Sequence, residues 1–257
     1  MFILLRLGMT KFKKPEISKS YNGKLRHIGF EIEFSNIDIK KVLDIFEGEF
    51  GFEVQKVNNF YYKLNSKYGE FVLELDFELL TKQKLKKSAS DLFETTGIKL
   101  DSDGIEQVED MIAELSKDIV PYEIGTPPIS FDDVGIVEKI IDKLKQNNAK
   151  GTTHKLHYAF GLHLNVEVVS LDVDSLLSYV RSYVILEEFI NKDANVDLTR
   201  KITPFIDNFK DEYKRHILDQ DYKPDMERFI DDYIDFNPTR NRSLDMLPIL
   251  CFIDEKR

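Results

Sequence analysis

The sequence has one cysteine, Cys251, among 257 residues. That excludes an internal disulfide and a cysteine-rich zinc site. A reducing compartment fits this usage. Cys251 lies between Leu250 and Phe252 and reads as a small core residue rather than a nucleophile. Basic charge is also short. There are 36 lysines and arginines against 46 aspartates and glutamates, a formal net charge of -10. Phosphate binding needs a basic field, so nucleic acid is not the expected partner. Acidic clusters that hold cations are compatible with this balance. No apolar run approaches a membrane-spanning length. The run from Met1 to Leu7 is too short and lacks a small-residue cleavage site, and Met9 is an equally good start. A cytoplasmic protein with no membrane partner is the expectation. Neither G-x-x-x-x-G-K-S/T nor G-x-G-x-x-G occurs, so a nucleotide would have to be held through metals and arginines. The residue order supports no serine–histidine–acid arrangement. Internal repeats, low-complexity tracts and linkers rich in proline, glycine or serine are missing as well.

What is present suffices for a packed core. Hydrophobic residues make up 42% and charged residues 32%, and the length suits one large domain or two small ones. The organising stretch is His27 to Asn36. Phe30, Ile32 and Phe34 alternate with Glu31 and Glu33, a period of two, so the stretch reads as a strand with an apolar and an acidic face. The two carboxylates point the same way, roughly 6–7 Å apart. A divalent cation would relieve their repulsion. An ordinary antiparallel strand with its polar face in water gives the same pattern.

Residues 9–26 carry Lys11, Lys13, Lys14, Lys19, Lys24 and Arg26 and read as a basic, loosely ordered lead-in. We divide the chain into this lead-in, residues 1–25, and a single domain, residues 26–257. Asp38 to Gly48 predicts an amphipathic helix ended by Gly48 and Gly51. Glu53–Val57 and Phe60–Asn65 predict strands around the turn at Asn58-Asn59. Glu70 to Leu79 again sets an apolar face against Val72, Glu74, Asp76 and Glu78. Gln83–Glu94 and Asp103–Ile119 have helical spacing, the second stopped by Pro121. Tyr122 to Pro128 reads as a short strand ending at a double proline, and Phe131 to Gln146 as a helix. In Phe160 to Val169, Leu162, Leu164, Val166 and Val168 take one face and His163, Asn165 and Glu167 the other. The rest is mostly helical. Asp174 is expected to cap a helix to about Asn191, and Arg200–Lys210, Tyr213–Leu218 and Pro224–Phe236 read as further helices. Phe236 to Arg242 is a loop, and Ser243–Phe252 a helix or buried turn. The fold class expected is α+β, an antiparallel sheet with helices on one face and a helical C-terminal part.

Three strands thus place metal-ligand types on polar faces: Glu31 and Glu33; Glu74, Asp76 and Glu78; and His163, Asn165 and Glu167. Glu123 adds a fourth segment. Solvated faces usually mix in lysine, threonine and serine, and none of the three stretches has a lysine. Carboxylates with one histidine suit magnesium or manganese better than zinc. A solvated face remains the other reading. Arg240 and Arg242 fall on one side of their loop if its period is two, and suit phosphate oxygens or an acyl phosphate. The alternative there is a salt-bridged helix start. His27, His154, His157 and His216 lack partners at ligand spacing and read as structural.

Four motifs in order resemble the amidoligase family of carboxylate–amine ligases, related to glutamine synthetase and glutamate–cysteine ligase. They are Gly29 to Phe34, Glu123 to Pro128, Gly161-Leu162-His163-Leu164-Asn165, and Asn237 to Pro248. The resemblance spans about residues 26–250. It implies a glutamine synthetase-like antiparallel sheet and ATP-dependent amide bond formation through an acyl phosphate. It assigns Glu31, Glu33, Glu123 and His163 as ligands of Mg2+ (or Mn2+). Asp76 and Glu78 are its candidates where many members have an aspartate-glycine-serine turn, with Glu74 beside them. Arg240 and Arg242 would act in phosphoryl transfer, with His163 and Asn165 also on the nucleotide. Many members have a second histidine where this chain has Asn165. The implied partners are ATP, a peptide or amino-acid carboxylate, and an amine or ammonia, with a homo-oligomer allowed. A binding protein of the same fold without turnover, or a metal-dependent hydrolase, are the alternative readings.

Overall fold

The computed structural model describes residues 12–34, 37–58, 60–75, 122–147, 161–193 and 207–256. Within them lie seven strands of one sheet and six helices, an α+β protein as the sequence predicted. The predicted helices at 83–94 and 103–119, and Asp76, Glu78, His154 and His157, lie outside the described residues.

The strands are β1 (His27–Phe34), β2 (Glu53–Lys56), β3 (Tyr61–Ser66), β4 (Gly69–Leu75), β5 (Tyr122–Gly125), β6 (Ile129–Ser130) and β7 (Leu162–Val166). The order is β2-β3-β4-β5-β1-β6, and β7 also pairs with β1. The chain falls into two compact units, one of residues 1–29, 128–135 and 162–257, the other of 30–127 and 136–161. Strand β1 begins in the first and continues in the second.

In the second unit, period-two alternation sets the core. Phe30, Ile32 and Phe34 of β1 are buried with Leu64 of β3, Phe71, Leu73 and Leu75 of β4 and Ile124 of β5. Two helices contribute to the same core. Helix α1 (Ile39–Gly48) is capped by Asp38, whose carboxylate accepts the Lys40 N–H at 2.8 Å, and buries Val42, Ile45 and Phe46. Helix α2 (Gly135–Gln146) buries Val137, Ile140, Ile141 and Leu144. It starts four residues after Phe131, where prediction began it, because 131–134 form turns. Gly51 holds a φ of +67°, a backbone that disfavours side chains. The chain there turns from α1 into β2 and stacks Phe52 on Phe46 and Phe71, with ring centroids 5.3 and 5.1 Å apart. Beyond Gly125 the β1 register slips by one residue, from Glu31↔Gly125 to Ile28↔Ile129. The slip is a bulge at the double proline, which has no N–H for the ladder. Thr126 bridges it: its Oγ1 accepts the Phe30 N–H at 2.9 Å and donates to the Pro127 carbonyl at 2.9 Å.

In the first unit, residues 18–26 form a closed turn whose side chains are exposed apart from Ser20 and Arg26. Lys19 bridges to Leu25, and the Tyr21 N–H donates to the Val169 carbonyl at 2.8 Å. Arg26 is buried. Its Nε donates to Glu167 O at 2.8 Å, Nη1 to Ile17 O at 2.6 Å and Nη2 to the Tyr179 hydroxyl at 3.3 Å. The helices here are α3 (Val173–Asp193), α4 (Asp211–Leu218), α5 (Met226–Phe236) and α6 (Leu247–Ile253). Asp172, not Asp174, caps α3: its carboxylate accepts the Ser175 N–H at 2.8 Å, and Asp174 sits in the first turn. Residues 207–210 are not helical. The core joins Leu176, Leu177 and Val180 to Phe209, Tyr213, Phe229 and Tyr233. Within it Glu187 is buried, ion-paired with Lys214 and accepting the Phe209 N–H at 3.1 Å. Cys251 is exposed, correcting the sequence reading. Helix α6 turns Leu250 inward, so the next two residues face solvent and Phe252 is 77% exposed. Among the described residues no helix is long and apolar enough to cross a membrane.

Candidate functional site

Sheet register aligns three glutamates. Glu33 of β1 stands opposite Glu123 of β5, and Glu123 opposite Glu74 of β4. With strands roughly 4.8 Å apart, the row spans about 10 Å. Glu31 lies two residues along β1 on the same face, in register with Gly125 and through it with Val72. Among the described residues, a Cβ on Gly125 would meet nothing within 4 Å, which leaves the space beside Glu31 open to them. The opposite face of these strands carries the buried Ile32, Ile124 and Leu73. All four glutamates belong to the second unit.

Like charges directly opposite one another destabilise a sheet, so three in a row on adjacent strands are not a folding device. Among the strand residues described, the lysine in register nearest the row is on β3. There Tyr61 stands opposite Glu74 and Lys63 opposite Val72, and the Lys63 ammonium pairs with Glu70 at 3.1 Å. The layer behind the row is dry. The Tyr122 hydroxyl, next in sequence to Glu123, has its pKa pushed up to about 12 by burial, reinforced by Tyr62 and Asp38. A dry backing strengthens electrostatics on the polar face.

Gly161 shapes this row. Its carbonyl accepts the Glu33 N–H at 3.0 Å. A Cβ there would lie 2.3 Å from Glu33 Oε2 and 2.6 Å from Cδ. The Glu33 carboxylate therefore occupies the space a side chain at 161 would need. Sequence reading marked Gly161 only as part of a motif and missed this role. It named Glu74 beside Asp76 and Glu78, but only register shows that Glu74 joins Glu33 and Glu123.

Among the described residues no three histidine, cysteine or acidic side chains converge as a ready-made cation cage. The donor set nevertheless fits a hard divalent ion: carboxylate oxygens alone, on adjacent strands, beside an open space.

The other predicted residues among those described lie in the first unit. On β7, His163 is half-buried and Asn165 exposed. Glu167 of the same face accepts the His27 N–H at 2.8 Å and lies 3.4 Å from its ring. That pair fixes Glu167 and gives His27 a structural place. His216 is structural too, at 3.0 Å from Asp232 and packed on Tyr222 and Phe236.

Arg240 and Arg242 do not share one side of an extended loop. The Thr239 N–H donates to Asn237 O at 2.7 Å and the Arg242 N–H to Arg240 O at 2.9 Å. Such tight bonds two residues apart break the period of two. Arg242 turns inward at 4% exposure. Its Nε donates to Asn237 Oδ1 at 3.0 Å and Nη1 to Asn208 O at 3.1 Å, with Asp207 at 4.0 Å. The Arg240 side chain is 72% exposed and pairs with Asp245 at 3.1 Å.

No curated protein and no solved structure matches the chain. A family model described as "Putative amidoligase enzyme" matches residues 24–257. With that match running over nearly its whole length, the chain belongs to the amidoligase family.

Proposed function

We propose that this amidoligase joins a carboxylate to an amine, with ATP and Mg2+ (or Mn2+), on a glutamine synthetase-like catalytic fold. The observation that carries the proposal is the aligned row Glu33–Glu123–Glu74 with Glu31 beside it. These glutamates would hold the divalent ions, and Asp76 or Glu78 would extend the set along the chain. Bound there, the ions would supply charge neutralisation for nucleotide phosphates. A substrate carboxylate oxygen attacks the γ-phosphorus and ADP leaves, giving an acyl phosphate. The amine, or ammonia, then attacks the acyl carbon, phosphate departs and the amine loses a proton. The carboxylate belongs to a peptide or an amino acid.

The protein's contribution is chiefly positioning and electrostatics, as in other phosphoryl transfers. Exposed Arg240 can leave Asp245 at little cost, since surface pairs contribute about 0–1 kcal/mol, and its guanidinium suits the transferred phosphoryl group. Arg242 sets the loop that presents Arg240. His163 and Asn165 keep the nucleotide and metal roles that the family resemblance gives them. The burial of Arg242 favours one other reading, a nucleotide-binding protein of this fold without turnover. ADP release in the presence of candidate carboxylates and amines separates the two.

The test is a melt of the parent and Glu33→Gln, with and without magnesium and a non-hydrolysable ATP analogue. Ligand at a hundred times its dissociation constant should stabilise the native state by about 2.7 kcal/mol. We expect a magnesium-dependent rise in the parent and none in the variant. The apo variant should melt no lower than the parent, because a like charge is removed. An equal rise in both proteins would sink the metal assignment.

A further inference from the structure

The second unit has a cavity of about 510 Å³ remote from the acidic row. It opens where α1 ends, at Glu49 to Phe52, beside the β3–β4 turn, Ser66 to Tyr68, and along α2, at Ile136, Lys139 and Lys143. Phe52 stacks on Phe71, which faces away from the glutamates. The cavity therefore belongs to the helix-covered side of the sheet. Its chemistry reverses that of the whole chain. The protein carries a net charge of -10, yet among the described residues the lining has three lysines, Lys67, Lys139 and Lys143, against one acid, Glu49. Lys143 is neutralised by its ion pair with Glu49. That leaves Lys67 and Lys139 as the charges facing the opening. The lining also has aromatic walls. Phe50 and Tyr68 are half-buried, and the Lys67 ammonium sits 4.9 Å from the Tyr68 ring centre. Gly51, held at a φ of +67°, leaves its part of the wall open: a Cβ there would meet nothing within 4 Å among the described residues.

We propose that this cavity is a second binding site, for a small dianion with an apolar or aromatic body. The size lies within the range of small-molecule sites, roughly 300–1,000 Å³. Two ammonium groups match two negative charges, and the rings of Phe50 and Tyr68 take the apolar body. The shared chemistry admits a phosphate monoester or a dicarboxylate. The site lies across the sheet from the acidic row, needs no metal, and stands independently of the reaction proposed above. Its occupant is an effector or a recognition group, not a group undergoing reaction at the glutamates.

The test titrates the full chain by calorimetry in EDTA with phenyl phosphate, phthalate and benzoate, on the parent, Lys67→Ala/Lys139→Ala and Glu33→Gln. We expect saturable binding of phenyl phosphate, phthalate or both, and weaker binding of the monoanion benzoate. Affinity should fall at least about tenfold in the double lysine variant and stay at the parental level in Glu33→Gln. Phenyl phosphate alone would identify a phosphate-ester site, and phthalate alone a dicarboxylate site. Both lysines are surface groups, and a parental melting temperature shows that the variant is folded. No binding by either dianion would overturn the proposal. So would equal binding by parent and lysine variant, benzoate binding as tightly as the dianions, or a loss confined to Glu33→Gln.

Discussion

The Gly161→Ala variant separates folding from metal binding in a single methyl group. The new Cβ would stand 2.3 Å from Glu33 Oε2 and 3.2 Å from Glu33 Cγ. The backbone at 161 is not in the left-handed region, so alanine itself is unstrained there. The Glu33 side chain has to move, its carboxylate most and its Cγ by a few tenths of an ångström. The carboxylate must retreat by about 1 Å or more to reach ordinary contact, near 3.5 Å. Magnesium holds its oxygens at 2.0–2.1 Å in near-ideal octahedral geometry, so a ligand displaced that far is lost or bound at a cost. Perturbing the support of a metal ligand typically weakens binding about 10–100-fold. Stability should move the other way. Replacing glycine by alanine at an unstrained position reduces the freedom of the unfolded chain and stabilises by about 0.4–1 kcal/mol. The assay is a urea unfolding curve on the apo protein, paired with a magnesium titration at a fixed concentration of ATP analogue. We expect an equal or higher unfolding midpoint with an affinity at least about tenfold weaker. Unchanged magnesium affinity would refute the seat assigned to Glu33. A collapse of the unfolding midpoint would show that Gly161 serves backbone packing instead.

Arg242→Ala should destabilise the first unit by about 2–4 kcal/mol, because Asn237 Oδ1 and Asn208 O each lose a charged donor in a buried setting. Arg240→Ala should leave the unfolding midpoint within about 0.5 kcal/mol of the parent and lower turnover. Denaturant curves on both variants check the contrast, and equal effects would remove the division between anchor and exposed arginine. Acid should weaken the α4–α5 region. Burial works to raise the Asp232 carboxyl, but hydrogen bonds from Tyr222 and His216, with the charges of His216 and Arg228, outweigh it and hold the pKa below the usual value. A carboxyl lowered on folding gives stability that is present above its unfolded pKa, near 4, and is lost as pH falls through the folded value. The unfolding midpoint should therefore fall below pH 4 more steeply in the parent than in Asp232→Asn, and parallel acid profiles would exclude this pair as a contributor.

By itself the sequence determined which residues could stand side by side on a strand. Period-two alternation in 28–34, 53–66 and 69–75 marks the strands of the core, because one face must be apolar and the pleat fixes the other. Helices α1, α2, α4 and α5 were visible in the spacing of Val42, Ile45 and Phe46 and its later counterparts. The motif order from Gly29 to Pro248 carried the family, which the match over 24–257 establishes. Tertiary structure decided everything that depends on register and on local departures from periodicity. Nothing in the alternation of 122–125 says that Glu123 lies between Glu33 and Glu74, because pairing partners are chosen by the packing of whole strands. The slip at Thr126-Pro127 arises from a missing N–H, and the turn-like bonds of 237–242 send Arg242 inward and Arg240 outward. Cys251, Asp172 and Arg26 changed places relative to prediction for the same reason. Each sits within a residue or two of an element end, where burial follows from which neighbour packs there and not from the period of the chain.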